Sequence, residues 1–525
     1  MALRSWVAPV GARLRSAARA RLSVDPRALV ALRVVLGATL LVDVCLRARF
    51  LRFFYTDTGV LPRSVLAERF PTVAHASLYT LTGGDWWVAF LFALTGIAAG
   101  CLVAGYRTKA AAVCALVLLT GLHVRNPLVL NGGDSLLRRL LLWSVFLPLG
   151  TGMAMGANGT RVETAGSADA RDGGQLLHPA AVGLLVQPVV VYVANATVKL
   201  RGDAWTDGTA VAMVFSLDSF TVLFGDALAG RPRVLAALGV GWLALLCCAP
   251  ALVATTGRTR ALVVGAFAAA HTGMALTLAV GLFPVVSVAA LLPCLPPRVW
   301  DAVEPRWNAG VAALARVRGR LRPAALHRAV ASKGVIARVE VPGSTVATAA
   351  RRTGASLRRT AVPTLRRLSR VAAAVLLVGV LVWNATALGY VAVPVDDDAG
   401  VTPEGARWDM FAPYPPSEDV RYVAVGTTES GTRVDAIRGG AVRWSRDGAG
   451  GTGYPSVRWR KYLEVVRWGD DEALRGHVAS ALCSRWEATH DGDLDRVALY
   501  TVVESTRPGE RGSTRVSRVR THECA

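Results

Sequence analysis

Charge is scarce in this chain, and acid is scarcer than base. Only 18% of its 525 residues are charged, with 37 Asp and Glu against 59 Lys and Arg. Ordinary soluble domains carry about 25% charge, so this deficit, with a mean hydropathy of +0.39, excludes a conventional soluble protein. Several chemistries lack their signatures. There is no Gly-rich phosphate loop, no zinc-ligand spacing, no Ser/His/Asp order and no interleaving of aromatic and basic residues of the kind that stacks nucleic acid bases. Neither a metal site nor a nucleic-acid partner is therefore expected. Six of the eight cysteines (Cys45, Cys101, Cys114, Cys247, Cys248, Cys294) fall in apolar stretches, where the thiol acts as a small hydrophobe. Cys483 and Cys524 lie in a polar region and are expected to pair if that region is outside the cell.

What is abundant is apolar sequence in runs of about 20 residues, the length that crosses roughly 30 Å of hydrocarbon as helix. Candidate spans cover about 28–47, 86–105, 110–125, 136–154, 179–200, 233–256, 261–280, 282–297 and 371–393. The net charge of +22 follows the membrane logic, because the basic surplus flanks the spans. Residues 298–370 alone hold 16 Lys and Arg against Asp301, Glu304 and Glu340. With the N-terminus inside, the loops around Arg107 and Lys109 and around Arg258 and Arg260 also face the cytoplasm. Arg138 and Arg139 dissent, near the outer end of the fourth span. The expected organisation is a basic cytoplasmic N-terminus (1–27), a transmembrane domain (28–297), a basic cytoplasmic linker (298–370), a final span (371–393) and an extracytoplasmic domain (394–525). The linker reads either as amphipathic helix on anionic lipid or as solvated chain. The fold class is an all-α polytopic membrane bundle, about eight core spans plus one later span, with a small C-terminal α+β domain. In that domain Val420–Gly426 and Thr432–Ile437 read as a hairpin, Asp470–Trp486 as helix with Leu474, Val478, Ala481 and Leu482 on one face, and Val497–Glu504 and Thr514–Thr521 as strands.

The most telling stretch runs from Tyr192 to Trp205. Tyr192, Asn195 and Lys199 are spaced three and four apart, so one helical face carries three polar heads inside an apolar span. An ionisable group at the bilayer midplane costs roughly 3 kcal/mol or more unless it pairs, snorkels or has a use. Lys199 is thus either a functional amine or an interfacial anchor paired with Asp203. Arg33, Asp43 and Arg47 add charge to the first span. Asp43 and Arg47 are placed as an (i, i+4) pair, and Arg33 either joins a structural ion pair or meets an anionic or quinone headgroup. His271 lies in the middle of the seventh span, as a hydrogen-bonded core histidine or a site residue. Asp57 and Asp134 fall in Gly- and Asn-containing outer loops, where turn-capping is the ordinary use, and a cavity shared with Lys199 is the alternative. Trp205 suits an interfacial anchor. The cluster from Arg407 through Trp408, Met410, Phe411 and Pro413 is expected to pack on the outer face of the bundle, or to cover a substrate as a lid.

Five blocks in order resemble the HTTM (horizontally transferred transmembrane) family, relatives of the vitamin K-dependent γ-carboxylase. These are Asp25-Pro26 with Leu32-Arg33, Gly37 and Asp43; Phe54-Tyr55-Thr56-Asp57 to Arg63; Arg125-Asn126-Pro127 to Asn131-Gly132-Gly133-Asp134; Gln187 to Gly208; and His271 with Gly281-Leu282-Phe283-Pro284. The resemblance covers about the first 300 residues. It implies a multi-pass cell-membrane protein with lipids as neighbours, and a reduced quinone or other lipid-soluble substrate. It also implies an outward pocket in which Lys199 and His271 act, with Tyr192, Asn195, Arg33, Asn126, Asp134, Asp57 and Trp205 as binding residues. Lys199 matches the proposed carboxylase base, a role that needs a neutral amine, the form that desolvation favours. One departure is plain: the carboxylases have a histidine directly after the asparagine matched by Asn126, and Pro127 stands there. The other functional reading is a non-catalytic membrane scaffold that displays or docks the C-terminal domain. A transporter would be expected to show an inverted repeat or paired broken helices, and neither is evident.

Overall fold

The computed structural model describes residues 2–150, 174–306, 309, 345–391, 408–444, 453–468 and 472–524. The chain is mostly helical, 64%, with a small C-terminal antiparallel sheet. Among the described residues six helices are long and apolar enough to cross a membrane. Helix α1 (Ala2–Leu22) precedes the first of these, α2 (Pro26–Ala48). Asp25 caps α2 by accepting from the Arg27 amide, with Pro26 at the first helical position. Then come α3 (Asp85–Ala104), α4 (Thr108–Arg125), α5 (Gly132–Val145) and α6 (Pro179–Lys199). They are followed by α7 (Pro232–Cys247), α8 (Gly257–Thr277), α9 (Phe283–Leu291) and the long α10 (Thr345–Ala387), joined by shorter helical turns. The spanning helices are α2, α3, α4, α6, α8 and the Pro363–Ala387 part of α10.

Three of the expected spans depart from simple helices. The fourth starts earlier, at Gly132, because Asn131 and Asp134 form a capping box there, and it ends at Val145. The sixth is the 16-residue α7, stopped before Pro250. The eighth, from Phe283 to Cys294, is followed after a 112° bend by a helix from Pro297 to Arg306. The N-terminal basic segment, expected only as a cytoplasmic tail, is the helix α1. Of the 298–370 linker, residues 345–370 are helical as the first part of α10, and residues 307, 308 and 310–344 lie outside the described residues.

Burial orders the bundle. Helix α6 is its centre, with 67% of its apolar window buried, while the last span stands at the edge with 11%. Exposed Val42, Phe90, Ile97, Val117, Leu238, Leu262 and Val378 give these helices the apolar outer surface that lipid requires. Close approaches need glycine: a Cβ at Gly183 would lie 2.7 Å from the Trp143 ring, and one at Gly133 would lie 2.9 Å from the Phe283 backbone. One end of the bundle is tied by arginines. Arg27 bridges Asp25, Asp301 and Glu304 at 2.8 Å each, Arg260 donates to the Arg21 carbonyl at 2.9 Å, and Arg21 donates to that of Ala254 at 2.9 Å.

The C-terminal domain sits on the opposite end. Strands β1 (Glu418–Thr428), β2 (Arg433–Asp435), β3 (Leu494–Arg507) and β4 (Glu510–Glu523) form an antiparallel sheet of order β2-β1-β3-β4. The expected hairpin is present, with Val425 opposite Asp435 and Gly431 in the left-handed region at the turn. Helix α12 (Glu472–Glu487) buries Leu474, Val478, Ala481 and Leu482, the face read from the sequence, and Cys483 is disulfide-bonded to Cys524. Helix α11 (Val457–Trp468) is the addition. Its Trp459, Tyr462, Leu463 and Val466 recur at helical spacing and are almost wholly buried. Trp459 stacks on Phe53 at 4.1 Å between centroids and meets Phe50 and Phe54 edge-on, while the Tyr462 hydroxyl donates to the Val60 carbonyl. This helix is wedged between sheet and bundle.

Truncating such an aromatic in a filled core costs about 3–5 kcal/mol. Trp459→Ala is expected to destabilise the protein by that amount, read as a lowered Tm in detergent by near-ultraviolet circular dichroism. An unchanged Tm would contradict the role given to this stack.

Candidate functional site

The polar stripe of α6 exists as read, but it is covered. Asn195 and Lys199 are each 2% exposed and Trp205 3%. A strap from Trp408 to Pro413 crosses them and meets their donors with backbone carbonyls. Asn195 Nδ2 donates to the Trp408 oxygen at 2.5 Å, Lys199 Nζ to that of Met410 at 2.8 Å, and Trp205 Nε1 to that of Phe411 at 2.8 Å. The Lys199 nitrogen also lies over the Trp205 ring, 3.2 Å from its centroid, a cation–π contact that strengthens away from water. Lys199 makes no ion pair with Asp203 among the described residues; the expected partner is replaced by a carbonyl 211 positions away. Gly202 is where the strap comes closest, since a Cβ there would collide with the Pro413 carbonyl. Trp408 is held in turn by Asn384 of α10, whose Oδ1 accepts from its indole at 3.3 Å.

One turn deeper, Tyr192 and His271 form a pair. The hydroxyl lies 2.8 Å from His271 Nε2, and the Tyr192 ring stacks on Phe267 at 4.3 Å. His271 is fully buried, and its Nδ1 has no hydrogen-bond partner. Tyr192, Asn195, Lys199, Trp205 and His271 are therefore one cluster.

The other candidates lie elsewhere. Arg33 is near the far end of α2, donating to the Leu102 carbonyl at 2.8 Å. Asp57 accepts from Arg63 at 2.8 Å and pairs with Arg125 at 3.4 Å, closing the loop after α2. Asn126 holds the same loop, donating to the Phe54 carbonyl and accepting from the Leu128 amide. Pro127 follows it as the start of a short helical turn.

Asp134 belongs to a second cluster whose key member the sequence did not disclose. Asp43 and Arg47 pair at 2.7 Å as expected, and Arg47 also reaches Asp134 at 2.6 Å. Arg458 of α11 then enters from the C-terminal domain, contacting Asp43 and lying 3.0 Å from Asp134. Arg47 further donates to the Tyr55 hydroxyl at 2.7 Å. Two carboxylates and two guanidiniums thus balance in a buried setting. Burial works against the Arg458 charge, but attraction to Asp134 and Asp43 outweighs it and holds the guanidinium above its ordinary range. Two residues on, Arg460 donates to the carbonyls of Ser219 and Ala279 at 2.7 and 2.8 Å and covers the Phe220 ring. The sequence expectations left residues 457–468 unassigned; the signal that marks them as a partly buried helix is the spacing of Trp459, Tyr462, Leu463 and Val466 among the cations.

Between strap, sheet and bundle lies an open cleft of about 1370 Å³. Met410, Phe411, Trp408 and Phe283 line it, and Lys199, Tyr192, Asn195 and His271 do not. The strap is the partition between the cleft and the polar stripe. Among the described residues no cluster of His, Cys, Asp and Glu could hold a metal ion.

Removing one partner of a buried charge network costs about 3–5 kcal/mol, because the remaining charge is left uncompensated. Arg458→Ala should therefore lower the unfolding free energy by that amount and expose the C-terminal domain to protease. Combining Arg458→Met with Asp43→Asn should recover part of the loss; a double variant as unstable as Arg458→Ala would show that the charges are not coupled.

Compared with known proteins, the chain matches no family model, no curated protein and no solved structure.

Proposed function

We propose that the chain is a multi-pass cell-membrane protein of the HTTM, γ-carboxylase-like class, and that the polar stripe of α6 is the seat on which its outer domain docks. The observation that carries this reading is the row of strap carbonyls at Trp408, Met410 and Phe411 accepting from Asn195, Lys199 and Trp205. A buried amine is tolerated here because hydrogen bond and aromatic face replace its water. In this reading the N-terminus and the 298–370 segment are cytoplasmic and residues 394–525 are outside. Support comes from the arginine-tied end with α1 and Arg260, from the C-terminal domain at the opposite end, and from the disulfide within it.

A second reading keeps Lys199 as a base for a quinol or other lipid-soluble substrate. It is favoured by an amine that has no ion pair among the described residues and stands one strap's thickness from a large cleft. Reaction would then require Met410 to leave Lys199, so that substrate in the cleft could present its acidic hydroxyl to the amine.

Lys199→Met separates the two. Loss of a charged hydrogen bond is worth about 1.5–3 kcal/mol, so the docking reading expects the segment before Trp408 to be cut at least about tenfold faster by protease, with membrane insertion intact. Unchanged cleavage together with loss of quinol consumption would overturn docking in favour of the base. For the topology, cysteines introduced singly between 298 and 370 should react with an impermeant maleimide only from the cytoplasmic side; labelling from outside intact cells would reverse the orientation.

A further inference from the structure

The cleft is not neutral. Its lining holds five cations and three carboxylates, and most of the charges are already matched. Arg467 pairs with Glu418 at 2.8 Å, Lys461 approaches Glu464 at 3.6 Å, and Arg460 is spent on two carbonyls. Arg138 and Arg139 of α5 remain. Arg138 reaches only the ring nitrogen of His123, at 3.3 Å, and the nearby Asp134 is already held by Arg47 and Arg458. Arg139 lies with its guanidinium 5.0 Å from the Trp408 ring centre, and its buried Nη1 has no hydrogen-bond partner. Among the described residues neither forms an ion pair. The third lining carboxylate, Asp409, forms no ion pair with either of them among the described residues. Two adjacent guanidiniums at a cleft wall, neither neutralised by a carboxylate of its own, are the ordinary make-up of an anion site.

Trp383, Trp408 and Phe283 give the wall an apolar, aromatic part. At about 1370 Å³ the space exceeds the roughly 300–1,000 Å³ of pockets for small ligands. The arginines sit about two turns along α5 from its capped outer end, roughly 10 Å in, at a depth reached by a lipid headgroup and not by bulk solvent alone. We propose that this cleft binds a membrane amphiphile with an anionic phosphate or carboxylate head, seated on Arg138 and Arg139, with its apolar part against Trp383, Trp408 and Phe283. The site rests on the docked position of the C-terminal domain, which supplies the opposite wall, and is independent of any chemistry at Lys199. It also explains why two arginines break the basic-inside pattern of the spans: they answer a ligand's charge.

The test is native mass spectrometry of the full-length protein in nonionic detergent, titrated with phosphatidylglycerol or with phosphatidylcholine of the same acyl chains. Retention of phosphatidylglycerol should exceed that of phosphatidylcholine by about tenfold or more, as two charge-assisted contacts require. The preference should vanish in R138Q/R139Q and persist in R139K. Equal retention of the two lipids, or a preference unchanged in R138Q/R139Q, overturns the proposal. Displacement of phosphatidylglycerol by inorganic phosphate alone would assign the guanidiniums to a free anion and overturn the amphiphile. Protease resistance of the strap, measured on the same variants, separates loss of the ligand site from loss of docking: a resistant strap with no lipid preference defeats this inference alone.

Discussion

The structure depends on four buried charges that belong to opposite ends of the chain. Asp43 and Arg47 come from the first span, Asp134 from the capped start of α5, and Arg458 from a helix more than 300 residues later. Each alone would be costly at this depth. Together they cancel, and the surrounding hydrogen bonds to Tyr55 and to the Val129 carbonyl use the remaining donors. A buried network of this kind adds less to net stability than its short distances suggest, because desolvation offsets attraction. What it marks is the seating of the C-terminal domain, at the position where Arg458 meets both carboxylates. The Trp459 stack beside it provides the apolar contact that makes that position favourable.

The strap completes the arrangement on the neighbouring face. Polar groups on a membrane helix read naturally as a pocket, because nothing in the helix itself accounts for them. Here the account is a peptide backbone laid across them, whose carbonyls would otherwise need water. The same strap forms a wall of the open cleft, so cleft and covered stripe are two sides of one segment. Met410 belongs to both sides: its carbonyl accepts from Lys199, and the residue lines the cleft.

Much of this was legible in the residues. Apolar run lengths located the spanning helices, the (i, i+4) spacing identified the Asp43–Arg47 pair, and alternation identified the strands of the C-terminal domain. Lone polar cysteines pointed to the disulfide between Cys483 and Cys524. Local rules failed where partners are distant. Lys199 had Asp203 within one turn, and the structure uses a carbonyl in the 400s instead. Helix α11 carries Arg458, Arg460, Lys461 and Arg467 and so resembles a solvated face, yet Arg460 is buried and Arg458 is only 14% exposed, each against groups that no window of neighbouring residues contains. Asn126, Asp57 and Asp134 were expected beside the site, but Asn126 and Asp57 close a loop and Asp134 sits in the first turn of α5, where it caps the helix and pairs with arginines.

The order of synthesis gives the four-charge cluster one more consequence. The helices bearing Asp43 and Asp134 leave the ribosome and enter the bilayer long before Arg458 is made. Until then Asp43 and Asp134 share Arg47 as their ion-pair partner and lack their second guanidinium. The second guanidinium comes with the final quarter of the chain, at the end of the bundle where the C-terminal domain sits. The charge balance of the first span is in this way completed from the far end of the chain, by a residue 415 positions after Asp43.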